Sequence, residues 1–104
     1  MGKDKLRRFR ENLTFDCFVQ PEFDEVFHCD HPLKGRWRSD FFRNDNPIVL
    51  ELGCGKGEYT VALAEHDPSR NYIGIDIKGA RMWRGAKSVT ERKIANAGFL
   101  RTRV

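Results

Sequence analysis

Two short apolar runs frame the most informative part of the chain. The first is Ile48-Val49-Leu50, broken by Glu51 and closed by Leu52; the second, Ile73-Gly74-Ile75, ends on Asp76. Runs of this length and character fit strands buried on both faces of a parallel sheet, and they predict strands at about 48–52 and 71–76. Pro47 suits only the first position of the earlier one. Between the strands, Tyr59, Ala62, Leu63 and His66 recur at helical spacing, predicting a helix over about Glu58–His66 that stops before Pro68. After Asp76, the positions Met82, Ala86 and Val89, with Trp83, Ile94 and Ala97, make a broad apolar face. They predict a helix over about Ala80–Ala97 with Gly98 at its C-terminal cap. A third strand is expected to begin at Phe99 and run to Val104.

Residues 1–46 have a different texture. They hold seven of the eight phenylalanines but little sustained periodicity, and Pro21, Pro32 and Gly35 punctuate them. The expectation is a basic, aromatic-rich and irregular extension, with room for short helical turns, packing its aromatics on a domain formed by residues 47–104.

The predicted order is therefore α/β: three parallel strands and two crossover helices, half of a doubly wound sheet. The strand at Ile48 would ordinarily be central. Without a neighbour on its outer side it becomes an apolar edge, which invites pairing or aggregation. That imbalance leads to the expectation that the chain is a truncated portion of a longer enzyme.

Chemistry concentrates where the first strand ends. Gly53, Gly55 and Gly57 follow Leu52, and glycines there allow positive φ and a close approach of backbone to ligand. Dinucleotide enzymes use Gly-x-Gly-x-x-Gly before a helix that faces a pyrophosphate. Here Glu58 stands at the third glycine position and Glu51 lies two residues before the first. Carboxylates at such a loop repel pyrophosphate and attract an ammonium or sulfonium, which points from NAD toward S-adenosylmethionine. A phosphate loop ending in Lys-Ser/Thr is also absent, since glycine follows Lys56. Asp76 lies nineteen residues after Gly57, at a strand end from which a carboxylate can accept hydrogen bonds from both ribose hydroxyls. Its plain alternative is a helix cap.

Composition sets outer bounds. The chain has 104 residues, one small domain's worth, and 39% hydrophobic with 12% aromatic residues supports a packed core. No run is long enough to span a membrane. Three cysteines without paired spacing suit a reducing, cytoplasmic setting. The net charge is +4, and the first ten residues alone carry that excess, with five cations against Asp4. Such an arm is either a solubilising tail or a source of sequence-independent attraction to phosphates.

The segments Leu50-Glu51-Leu52-Gly53-Cys54-Gly55-Lys56-Gly57-Glu58-Tyr59 and Gly74-Ile75-Asp76-Ile77-Lys78-Gly79-Ala80-Arg81-Met82-Trp83 closely resemble the bacterial tRNA (guanine-N7-)-methyltransferases. The opening Gly2–Leu6, Lys34-Gly35-Arg36-Trp37 and Phe99-Leu100-Arg101-Thr102 look like members of that family too. The first segment is shared loosely by many class I methyltransferases, whereas the second is more specific. The resemblance implies a Rossmann-like class I fold and methyl transfer from S-adenosyl-L-methionine to guanine N7 in the variable loop of tRNA. By matching position it implies that Glu51 and Asp76 bind the cofactor, that Gly53, Cys54 and Gly55 line its pocket, and that Ile77 sits beside the adenosine. It also brings tRNA contact by Lys3, Lys5, Arg7 and Arg8 to the fore. Residues the family associates with catalysis and guanine binding lie past the third strand, so no catalytic residue is assigned here. The other readings are a non-catalytic RNA-binding fragment, another class I methyltransferase and an NAD-linked half-domain.

Remaining candidates read more simply as structure. Lys78, Arg81, Arg84, Lys87 and Arg92 suggest a solvated helix face or an RNA track. Trp37 and Trp83 are better suited to the core than to stacking on bases. His28, Cys29, Asp30 and His31 are too crowded for an ordinary zinc site. Cys54, without a histidine near it in sequence, is not expected to be a nucleophile.

Overall fold

Strands β1 (Phe18–Val19), β2 (Ile48–Leu52), β3 (Asn71–Asp76) and β4 (Ala97–Arg101) form one parallel sheet in the order β1-β4-β3-β2. The computed structural model describes residues 2–22 and 30–103, with no description of the Gly2 and Lys3 side chains. The candidates Phe23, Phe27, His28, Cys29 and Val104 lie outside the described residues. Helices α1 (Gly2–Asn12), α2 (Glu58–His66) and α3 (Gly79–Arg92) complete the regular structure, with a π-helical segment at Trp37–Phe42. The α/β class and the parallel Rossmann-like arrangement agree with the sequence expectation. None of the described helices is long and apolar enough to cross a membrane.

Register positions the site. Glu51 stands opposite Gly74 and Leu52 opposite Ile75 across β2 and β3, while Asp76 stands opposite Arg101 across β3 and β4. All four strands are parallel, so the ends of β2 and β3, with the loops that leave them, open on one edge of the sheet. Strand β2 is one of the two edge strands, as the imbalance in the sequence foretold. Its burial does not follow the apolar run, however: Val49, Leu50 and Leu52 are exposed. An edge strand has one neighbour, and the face it shares with Ile73, Ile75, Leu100 and Trp37 retains an open apolar groove of about 360 Å³.

The opposite face holds the main core. Phe99 and Met82 are fully buried there, together with Ala86, Val89, Val61, Ala64, Phe15 and Phe18. Burial of one such large side chain is worth about 1.5–3 kcal/mol. Asn96 closes the end of α2 by donating from Nδ2 to the carbonyls of Ala64, Asp67 and Arg70 at 2.9, 3.1 and 2.9 Å. Satisfying helix-end carbonyls in this way removes the cost of burying them unpaired.

The N-terminal segment departs from the irregular arm expected of it. It supplies an eleven-residue helix that packs on α3, and β1 adds a fourth strand beside β4. Buried Asn12 donates to the Gly79 carbonyl at 2.9 Å, and the Phe18 ring meets Phe99 edge to face at 6.4 Å. A two-residue strand leaves no readable period, and the burial of Phe15 and Phe18 depends on partners some eighty residues later in the sequence.

Two helix details also differ. The buried face of α2 is Thr60, Val61 and Ala64, while Tyr59 is exposed, because α2 rests on β3 and α3 through that side. Helix α3 ends at Arg92: Lys93 takes a left-handed conformation (φ 54°) and its N–H returns to the carbonyls of Thr90 and Val89. Ala97 and Gly98 therefore belong to β4, not to the helix or its cap. A side chain at position 98 would meet the Phe41 ring 2.6 Å away, which explains the glycine within the strand.

Candidate cofactor site

The glycine loop hangs from the end of β3. The N–H groups of Gly53 and Cys54 both donate to the Ile75 carbonyl, at 2.7 and 3.0 Å. Gly53, Gly55 and Gly57 all have positive φ, between 58° and 75°, a region that residues with a Cβ rarely adopt. Gly57 then caps α2 from its left-handed conformation. The loop is also pressed against α3: a Cβ at Gly57 would lie 3.3 Å from the Gly85 Cα and 2.5 Å from the Phe99 ring. At Gly53 the corresponding position is open, with no atom within 4 Å.

Asp76 ties that loop to β3. Its Oδ2 accepts from the Gly55 N–H at 2.9 Å, and its Oδ1 accepts from the N–H groups of Ile77 and Lys78 at 2.7 and 3.2 Å. Burial by itself would raise its pKa. The three backbone donors and the nearby Arg81 guanidinium outweigh it and hold the carboxyl below its ordinary 3.8. The ion is thus favoured, and one lone-pair site, on Oδ2, remains for a further donor. Asp76 is not the cap of α3, whose N-cap is Lys78; it accepts from the N–H groups of the turn before that helix and anchors the glycine loop.

Glu51 is in the opposite electrostatic state. Burial raises its pKa above 4.5, while the Thr60 hydroxyl beside it pulls the other way. Neither Glu51 Oε2 nor Thr60 Oγ1 closes a hydrogen bond, although both atoms are buried. An unpaired buried carboxylate oxygen costs free energy until a donor or a cation meets it. Residues 51 and 76 therefore offer two acids on neighbouring strands beside one glycine loop, one satisfied by backbone and one with a buried oxygen, Oε2, that closes no hydrogen bond.

Cys54 lies between them and is buried. Burial and then the charges of Asp76 and Glu51 push its thiol up to about 12. Its thiol is therefore uncharged at neutral pH. Ile77 is exposed at the rim, where it offers an apolar surface. The Arg81 guanidinium lies 3.5 Å from the position of a Cβ on Gly55. Among the described residues, no group of His, Cys, Asp and Glu is arranged to hold a metal.

The basic candidates gather elsewhere. Lys5 lies over Phe9 (5.9 Å to the ring centroid), and Arg7 and Arg8 lie over Trp83 at 5.5 and 4.6 Å, all from α1. Lys3 keeps its place in α1, but its side chain is outside the described residues. Sequence reasoning passed over Gly85 and Thr60. A glycine in the middle of an otherwise well-formed helix, and a buried β-branched polar residue one turn after a glycine loop, were the available signals.

A protein-family model described as "Putative methyltransferase" matches residues 45–103. The chain is 57% identical over 103 residues to the tRNA (guanine-N(7)-)-methyltransferase of Christiangramia forsetii, covering 99% of this chain and 46% of that protein. It is 46% identical over 104 residues to the enzyme of the same name from Bacteroides fragilis, covering all of this chain and 41% of the relative. A third, from Porphyromonas gingivalis, is 65% identical over 71 residues, or 68% of this chain and 29% of that protein. The chain thus spans less than half the length of these curated relatives. With its parallel sheet, glycine loop and paired strand-end acids, the chain belongs to this methyltransferase family, and within it is similar to the tRNA (guanine-N(7)-)-methyltransferases.

Proposed function

We propose that this chain is the cofactor-binding portion of a cytoplasmic enzyme that methylates guanine N7 in the variable loop of tRNA, with S-adenosylmethionine as donor. The observation that carries this reading is the pair of carboxylates flanking the glycine loop, with Glu51 Oε2 buried and without a hydrogen bond. The residues fit such a donor. Glu51 has a vacant acceptor suited to a cationic group, Asp76 has a lone-pair site left on Oδ2 for a ribose hydroxyl, and the space beside Gly53 is open.

When bound, the cofactor supplies an electrophilic methyl on a sulfonium. The chain's own contribution is binding and orientation. Glu51 attracts the positive portion of the ligand, and Asp76 fixes the ribose while holding the loop through Gly55. Gly53, Cys54 and Gly55 let the backbone approach closely, and Ile77 covers an apolar edge. Guanine N7 has a free lone pair, so its attack needs no prior proton removal and catalysis rests on in-line positioning. The guanine pocket is not assigned to residues of this chain. Lys3, Lys5, Arg7 and Arg8 are proposed to meet tRNA phosphates.

The test is methyl transfer by the full-length protein from radiolabelled S-adenosylmethionine to tRNA that lacks the modification. Absence of incorporation would sink the activity. For the site, Asp76→Ala is expected to weaken cofactor binding more than tenfold, about 1.4 kcal/mol or above; unchanged affinity by calorimetry would remove Asp76 from it.

A further inference from the structure

Helix α1 docks on α3 around a single indole. Trp83 is buried, and its Nε1 donates to Glu11 Oε1 at 3.0 Å, which fixes the ring. Four cations crowd that ring: Arg8 at 4.6 Å, Lys87 at 5.0 Å, and Arg7 and Arg84 each at 5.5 Å from its centroid. Only Lys87 is neutralised by contact, through an ion pair with Glu11 Oε2 at 3.3 Å. Arg7, Arg8 and Arg84 have no carboxylate at ion-pair distance among the described residues, and Arg8 Nε is buried without an acceptor.

The indole attracts each guanidinium through its negative π-surface, but it does not remove the mutual repulsion of the three. An anion bridging them does both, pairing the forks and relieving the repulsion. We infer that Arg7, Arg8 and Arg84 form a composite phosphate-binding site for the RNA backbone, created by the docking of α1 on α3. This rests on the tRNA reading above and deepens it. The basic arm then acts as a rigid half-site whose other half lies more than seventy residues away in sequence. Because Trp83 is buried, the contact is with phosphate, and base stacking has no role.

The test is tRNA binding by the full-length protein across a salt series. Arg84→Gln leaves the N-terminal arm intact and removes an exposed side chain with no ion-pair partner, so the fold is retained. It is expected to weaken binding at least threefold and to lower the slope of log affinity against log salt by about one. Arg8→Gln should do the same. Arg92→Gln, whose native side chain is paired with Glu65 at 2.7 Å, is the control and should bind as the parent does. If Arg8→Gln weakens binding while Arg84→Gln does not, the arm acts alone and the composite site is overturned, with tRNA binding itself preserved. If the parent protein fails to bind tRNA at low salt, the tRNA reading fails and takes this inference with it. Binding to phosphatidylserine vesicles in place of tRNA would likewise overturn it.

Discussion

Gly57 and Gly85 meet almost Cα to Cα. A Cβ added to Gly85 would stand 3.0 Å from the Gly57 Cα, 3.0 Å from the Lys56 carbonyl oxygen and 2.5 Å from the Phe99 ring. The glycine loop and the middle of α3 are therefore in backbone contact, with Phe99 as the floor beneath both. Whatever fixes α3 also fixes the loop.

A substitution with an unusual sign follows. Gly→Ala inside a helix ordinarily stabilises by about 1 kcal/mol through propensity. Gly85→Ala is expected to destabilise instead, by about 1–2 kcal/mol net, because overpacking against backbone and a buried ring costs about 1–3 kcal/mol or more. For a domain of this size each 1 kcal/mol lowers Tm by about 4–8 °C. Urea or thermal unfolding checks it, and a Gly85→Ala chain as stable as the parent would show that the contact is loose.

Glu51 predicts a pH dependence for the cofactor. Its folded pKa is raised above 4.5 by burial, so the neutral acid is the favoured form of the unliganded fold at low pH. Without ligand, the stabilisation from keeping it protonated is present at low pH and lost as pH rises through the raised value. A cationic ligand group prefers the carboxylate, so binding should release a proton and tighten as pH rises through that same value, then level off. Calorimetry in buffers of different ionisation enthalpy reads the proton directly. Glu51→Gln should bind weakly with no such release; an unchanged proton count in that variant would assign the titration to another group.

The sequence made β2, β3, α2 and the glycine loop readable because each is a local pattern closed by a turn signal, from Leu52 into Gly53 and from Asp76 into Lys78. Glu51 and Asp76 were legible for the same reason: both are acids at strand ends. What escaped was non-local. The pairing of Phe18 with Phe99 and of Asn12 with Gly79 has no signature near either partner, so α1 and β1 read as an irregular arm. The end of α3 was overrun because Ile94 and Ala97 continue an apolar period, whereas Lys93 breaks the helix by a left-handed turn that its residue type does not announce. The burial of β2 was overestimated because an apolar run reports what a strand can bury, and here it lies at the edge of the sheet.

Asp67 ties part of the stability to pH. It accepts from the Ser69 hydroxyl at 2.5 Å, the Tyr72 hydroxyl at 3.0 Å and Arg70 at 2.9 Å, which together lower its pKa from 3.8 to about 2. A depressed folded pKa contributes stability that is complete above the unfolded value and is lost as pH falls through the folded one. The contribution of Asp67 should therefore fade between about pH 4 and pH 2, and Asp67→Asn should be less stable than the parent above that window and converge on it within. An NMR titration of the Asp67 carboxyl carbon with a midpoint near 3.8 would contradict the network's effect.

Cysteine chemistry gives the last prediction. Cys54 is pushed up to about 12 by burial and by the acids at 76 and 51, and Cys17 is raised by burial while its Sγ donates to the Ala86 carbonyl at 3.4 Å. Thiolate is the reactive form, so at neutral pH both should resist alkylation in the folded chain. Iodoacetamide treatment followed by peptide mapping should find both positions unmodified until urea is added, then fully modified. Bound cofactor would further shield Cys54, with no effect on the half-buried Cys17. Rapid native modification of Cys54 would show instead that the loop opens, and that Gly57 does not hold its contact with Gly85.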